Sequence, residues 1–217
     1  MSSRRATHAI FAFTLALLLA GCAGLFPDRD AQRQVREHLE MWRSFRIDGV
    51  VTIEAQGLAL HKEAVLRKNG SAIRIDIIEG GLFAASGSVF ATVYIDSLLV
   101  VSMMGQTEAQ PLDEQTRRLL LIDDGLLRLQ RDYLREIVQT RTATMDSLVF
   151  TFDSQYRIGR VQKLGGAGFV NLDYSTAGQL DVLELRTETG ESVKLLVDKF
   201  TPGPVGVPPL PLPENMP

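Results

Sequence analysis

Catalysis needs an acid, a base or a nucleophile held in place, and this 217-residue chain offers few candidates. Beyond Gly21 the histidines are His38 and His61. His38 falls in a helical stretch between charged neighbours, and His61 on a strand beside Lys62 and Glu63. Neither has a second ligand at metal spacing, so both read as surface histidines. Gly165-Gly166-Ala167-Gly168 has the glycines of a phosphate loop without the Lys-Ser/Thr that would reach phosphate and magnesium. It reads as a hairpin turn. Ser86-Gly87-Ser88 lacks the Gly-x-Ser-x-Gly frame of a nucleophile elbow. Asp123-Asp124, adjacent at a helix start, point apart and serve as caps rather than as paired catalytic carboxylates. Pro208-Pro209 and Pro211 could dock an aromatic groove, and a disordered terminus is the simpler account. This inventory predicts no enzyme, no cofactor and no metal site.

One thiol remains, Cys22, and a single cysteine excludes both a disulfide framework and a zinc ribbon. Met1 to His8 is short and basic, with Arg4 and Arg5, and Ile10 to Ala20 is apolar apart from Thr14. A basic start, an apolar run of about a dozen residues and small residues before a cut describe a secretory signal over residues 1–21. The run is short for a bilayer span, which takes about twenty residues. Leu19-Ala20-Gly21-Cys22 resembles a bacterial lipobox, where an ordinary signal peptide would have its cysteine by chance. That resemblance implies diacylglycerol transfer to Cys22, cleavage before it, and acylation of the new amino terminus with a palmitate-type chain. One acyl chain holds a protein only marginally, whereas two or more anchor it stably. Ala23, with no aspartate beside the cysteine, implies export to the outer membrane and a domain in the periplasm, with inner-membrane retention as the other destination. Without the signal the chain has 21 basic and 26 acidic residues, a net charge of −5. Nucleic acid binding needs clustered Lys and Arg, so that balance argues against it.

Leu82-Phe83 is the other feature to explain: two bulky apolar residues flanked by glycines in a connection between strands. Such a pair either folds back as a core plug or contacts a membrane or a cargo.

The elements that must position these residues follow from periodicity. After a tether over residues 22–28, Ala31, Val35, Leu39, Trp42 and Phe45 form one apolar stripe on a helix, with Asp28 or Asp30 as cap. The period then drops to two. Phe45, Ile47, Gly49, Val51, Ile53 and Ala55 alternate with polar residues, and Leu58, Leu60, Ala64 and Leu66 share a face with Lys62 as its odd member. Asn69-Gly70 then signals a hairpin with a type I′ turn, and Ile73, Ile75 and Ile77 begin the return strand. Two strands follow at Ser88 to Ile95 and Leu98 to Met103. Pro111 to Asp124 and Gly125 to Thr140 read as helices, and five more strands run from Leu148 to Phe200. The last seventeen residues hold seven of the nine prolines, so residues 202–217 form a Pro-rich tail, extended and loosely held.

Runs of strands with grouped helices predict an α+β fold. Some ten to eleven antiparallel strands exceed what a flat sheet tolerates. The expectation is one strongly curved sheet over residues 29–201, an open half-barrel with helices covering its concave side. Aliphatic residues dominate every inner face, which suits acyl chains and ordinary cores alike.

Several segments resemble the LolA/LolB superfamily of outer-membrane lipoprotein carriers and receptors. Leu39-x-x-Trp42 leading into Phe45-Arg46-Ile47-Asp48-Gly49 is similar to the family's first helix and first strand. A central helical insert ends near Leu120-Leu121-x-x-Asp124-Gly125. Then come Phe152-Asp153, Val161-Gln162, Val170-x-Leu172-x-Tyr174, Leu183-x-Leu185 and Leu195-Leu196-Val197, closing on Lys199-Phe200. The lipobox places the chain nearer to LolB. The resemblance implies an eleven-stranded half-barrel with a helical lid, lipid acyl chains or lipoproteins as cargo, and delivery by a periplasmic carrier protein. It also implies that Leu82 or Phe83 presents an apolar residue to membrane or cargo. The other reading of the same residues is a structural or interaction lipoprotein whose core is filled by its own side chains.

Overall fold

The computed structural model describes residues 29–55, 58–79, 88–112, 117 and 125–212. The signal segment, Cys22, the tether, Leu82, Phe83, Asp123 and Asp124 lie outside the described residues. Twelve strands form one sheet: β1 (Ser44–Ala55), β2 (Leu58–Asn69), β3 (Ala72–Ile78), β4 (Val89–Ile95), β5 (Leu98–Met103), β6 (Gln106–Pro111), β7 (Thr142–Met145), β8 (Leu148–Phe152), β9 (Ile158–Lys163), β10 (Phe169–Tyr174), β11 (Leu180–Arg186) and β12 (Ser192–Pro202). Their order is β6-β5-β4-β3-β2-β1-β12-β11-β10-β9-β8-β7. Neighbours are antiparallel, so two six-stranded meanders meet where β1 pairs with β12. The sheet curves without closing and leaves β6 and β7 as edges. This is the open half-barrel that the alternation and the LolA/LolB resemblance implied.

Three described helices join it: α1 (Arg29–Met41), α2 (Gly125–Asp132) and α3 (Leu134–Thr140). α1 buries Ala31, Val35 and Leu39. It stops at Met41, so Trp42 lies in the turn and Phe45 in the strand, rather than both extending the helical stripe. Leu126 and Leu129 of α2, with Leu134 and Ile137 of α3, complete the helical side of the core. The stretch read as one helix from Gly125 to Thr140 is interrupted at Tyr133. Arg141 ends α3 in the left-handed region at φ 60°, its N–H donating to Ile137 O at 2.9 Å. No described helix is long and apolar enough to cross a membrane.

Two strands escaped the sequence reading. β6 is mostly polar, and as an edge it is held through backbone pairing with β5, which asks nothing of side-chain period. Pro111, taken as a helix start, is its last residue, opposite Leu98. Of the helix expected from Pro111 to Asp124, Arg117 is helical and the other residues up to Asp124, apart from Leu112, lie outside the described set. β7 has four residues, too few to show a period. The turn after β2 is also displaced by one residue. Asn69 pairs with Ala72, so Gly70 and Ser71 occupy the centre. Only Gly70 has positive φ there, +60°, which is the pattern of a type II′ turn rather than type I′.

The Pro-rich tail is extended as expected, but it is not loosely held along its described length. Beyond β12 it passes β1 and β2 to reach β3, where the Arg74 guanidinium donates to Pro208 O at 2.9 Å. Val205, Val207 and Leu210 are half-buried along that path.

Candidate functional site

Cross-strand register decides which side chains line the concave face. Lys68 lies opposite Phe45 on β1 and Ile73 on β3, Leu66 opposite Ile47 and Ile75, and Ala64 opposite Gly49 and Ile77. On the other side of β1, Val51 faces Leu195 and Ile53 faces Val193. The alternation in β1, β2 and β3 thus converges on one apolar wall.

That wall is covered unevenly. The larger core cluster joins the three helices to β1, β2 and β7 to β12, with Leu39, Leu129, Ile137 and Phe150 fully enclosed. A smaller cluster, Ile73 and Ile95 with Ile75, Val93, Leu99 and Leu112, occupies the β3 to β5 wing. The described helices pack on one another, on β1 and on β7. Between the two clusters lies a cavity of about 210 Å³. Trp42 and Leu126 line it from the helical side, Phe45 from β1, and Leu66, Ile73, Ile75 and Ile95 from the β2 to β4 wing. Val161, Val170, Leu172, Leu183, Leu185, Val193 and Leu195 close the far wall. At one end, Trp42 meets Phe45 edge-on at 5.1 Å and lies 5.4 Å from Phe200, which ties the end of α1 to the first and last strands.

Among the described lining residues the one charged side chain is Lys68. It is 6% exposed. Its ammonium donates to Gly70 O at 2.6 Å, and no described carboxylate pairs with it. Burial pushes its pKa down from 10.5 to about 8, and the nearby Arg43 charge pushes the same way. The sequence reading passed over this residue, although Lys68 has the parity of Ala64 and Leu66 and therefore had to share their face. No described carboxylate, histidine or hydroxyl lines the cavity beside it to move a proton. The chemistry the lining offers is sequestration of apolar groups near one buried cation.

The other candidate residues lie elsewhere. His38 is half-buried on α1 rather than a free surface histidine, and its pKa is lowered by burial and by Arg157. His61 is exposed, its Nδ1 2.8 Å from Thr52 Oγ1. Gly165 and Gly166 form the expected hairpin turn, with Gly165 at φ +72° and Gly166 N–H donating to Lys163 O at 3.0 Å. Lys62, the odd member of its face, lies 5.7 Å from the centre of the Phe90 ring. The connection carrying Leu82 and Phe83 leaves β3 at Ile78 and returns at Val89. The end of the sheet at Ile78 and Val89 exposes Val89, Met103 and, at 79%, Met104. Among the described residues no group of three or more metal-ligating side chains occurs.

No protein-family model matches the chain, and no curated protein does. Solved structures do. A LolA superfamily protein from Nitrosomonas europaea is 12% identical, with a TM-score of 0.39, the match covering 83% of this chain and 96% of that one. A domain described as an outer membrane lipoprotein-sorting protein, from Vibrio parahaemolyticus, is 9% identical at a TM-score of 0.38, covering 78% and 89%. The lipoprotein LppX of Mycobacterium tuberculosis is 12% identical at a TM-score of 0.34, covering 83% and 100%.

Proposed function

We propose that the chain is a lipid-anchored protein of the bacterial envelope that shelters acyl chains of a lipid or a lipoprotein in the cavity under its half-barrel, without covalent chemistry. The cavity carries this reading. Its described walls are aliphatic and aromatic apart from Lys68, so it stabilises hydrocarbon through removal of apolar surface from water. An apolar cavity of about 150 Å³ already accommodates a benzene-sized molecule, so this one admits an alkyl segment of that order. Several full chains need more room than this cavity encloses. Transfer then amounts to partition, in which chains leave one apolar site for another and finally for the bilayer, each step driven by differential burial. Cys22 anchors the protein to the outer membrane, and Leu82 and Phe83 contact membrane or cargo.

A structural or interaction lipoprotein is the second reading, and the fully packed side beneath the helices favours it. Native mass spectrometry of the protein released from membranes separates the two. Acyl lipid that travels with the chain, and is lost when Leu183→Trp fills the cavity, supports sequestration. A bare chain that also binds no fluorescent acyl probe leaves only the structural reading.

A further inference from the structure

The position of Lys68 says what sort of acyl compound fits. We propose that the cavity's cargo carries an anionic head group, carboxylate or phosphate, and that the Lys68 ammonium binds it; this rests on the acyl-cavity reading above.

Burying a charge is unfavourable unless it is paired and hydrogen-bonded. Lys68 is enclosed among Trp42, Phe45 and Ile73, on a face that is otherwise apolar. An ammonium has three donors, and its acceptor among the described residues is one neutral carbonyl, that of Gly70. A methionine of similar shape would bury the same stem without the desolvation cost. The charged group that acts on it, Arg43, is also positive and is itself hydrogen-bonded to Glu40. An anion in the cavity would meet a free donor there and offset that cost.

The placement also suits an amphiphile. Lys68 is the second-last residue of β2, next to the Gly70 turn at the rim where α1 enters β1. The apolar lining extends from it along Leu66 and Ala64 and across to Leu185 and Val193 at the other end. A head group held at Lys68 therefore directs its chain down the cavity and not into solvent.

The test uses the whole protein and two matched pairs of probes: palmitate against hexadecanol, and palmitoylglycerol phosphate against palmitoylglycerol. Within a pair the chain is constant and only the head charge changes. The expected result is a preference of about tenfold or more for the anion in at least one pair, abolished in Lys68→Met while affinity for the uncharged partner is kept. The pair that shows the larger preference identifies the head as carboxylate or phosphate. Equal binding of charged and uncharged probes by the natural protein overturns this proposal alone. So does a preference that survives in Lys68→Met. Failure of all four probes to bind overturns the acyl-cavity reading and this proposal with it.

Discussion

Gly49 lies so close to the backbone of Leu196 that a β-carbon on it would sit 2.0 Å from that carbonyl oxygen. The two belong to the seam between the meanders, where the β1 to β12 register shifts between Asp48 and Gly49. A bulge there sharpens the bend of the sheet, so this approach helps set the curvature beneath which the cavity forms. The contact is with backbone and cannot be relieved by a rotamer change. Gly49→Ala is expected to destabilise by about 2–3 kcal/mol or more, read as a lower urea midpoint. Gly159→Ala is the control, since its nearest such contact is an ordinary 3.8 Å.

On the outer face, Asp76 is 5% exposed and accepts hydrogen bonds from Thr92 at 2.8 Å, from Arg74 at 2.9 Å and from Arg67. Burial raises its pKa, but the hydrogen bonds from these three residues outweigh that and hold the carboxyl below its usual range. The stabilisation is therefore present above the unfolded pKa and is lost as pH falls through the folded one. Asp76→Asn is expected to cost about 3 kcal/mol at neutral pH. The difference from the natural protein should shrink as urea titrations move below about pH 4. A constant difference down to pH 2 would refute the assignment.

Lys68 predicts a second rise of stability with pH, in the alkaline range. Below about 8 the folded and unfolded chains both hold its proton, and the fold bears the full cost of an enclosed charge. Between about 8 and 10.5 only the unfolded chain holds it, so stability rises with pH through that window. The shift corresponds to something on the order of 3 kcal/mol. Without cargo, Lys68→Met should therefore be more stable than the natural protein at pH 7, and the advantage should fade by pH 10. Thermal unfolding at a series of pH values measures both.

Leu82→Glu tests the proposed contact with membrane or cargo. A charge there should impair release of a labelled lipoprotein into liposomes and leave the thermal midpoint unchanged. Undiminished release would remove Leu82 from the proposed contact.

The meander from Phe45 to Ile78 and the strands from Leu148 to Phe200 were legible in the sequence because alternation reports a local fact, that successive side chains point to opposite faces. The stripe Ala31, Val35, Leu39 was legible in the same way. β6 was not, since an edge strand held by backbone pairing needs no apolar period. Nor was the attachment of the tail, which depends on Arg74 lying 134 residues away in the chain. The break at Tyr133 left no mark in the apolar pattern.

The order of elements, the aliphatic inner faces and the lipobox-like Leu19 to Cys22 are properties of the sequence by itself. They express local backbone preference and side-chain polarity, which do not depend on what lies across the fold. Tertiary structure decided that the described helices pack toward one wing of the sheet, that the space left between Trp42 and Ile95 stays open, and that Lys68 faces into it. A cavity is the mismatch between the volume a curved sheet encloses and the volume of the side chains that reach it, and that sum runs over residues remote in sequence.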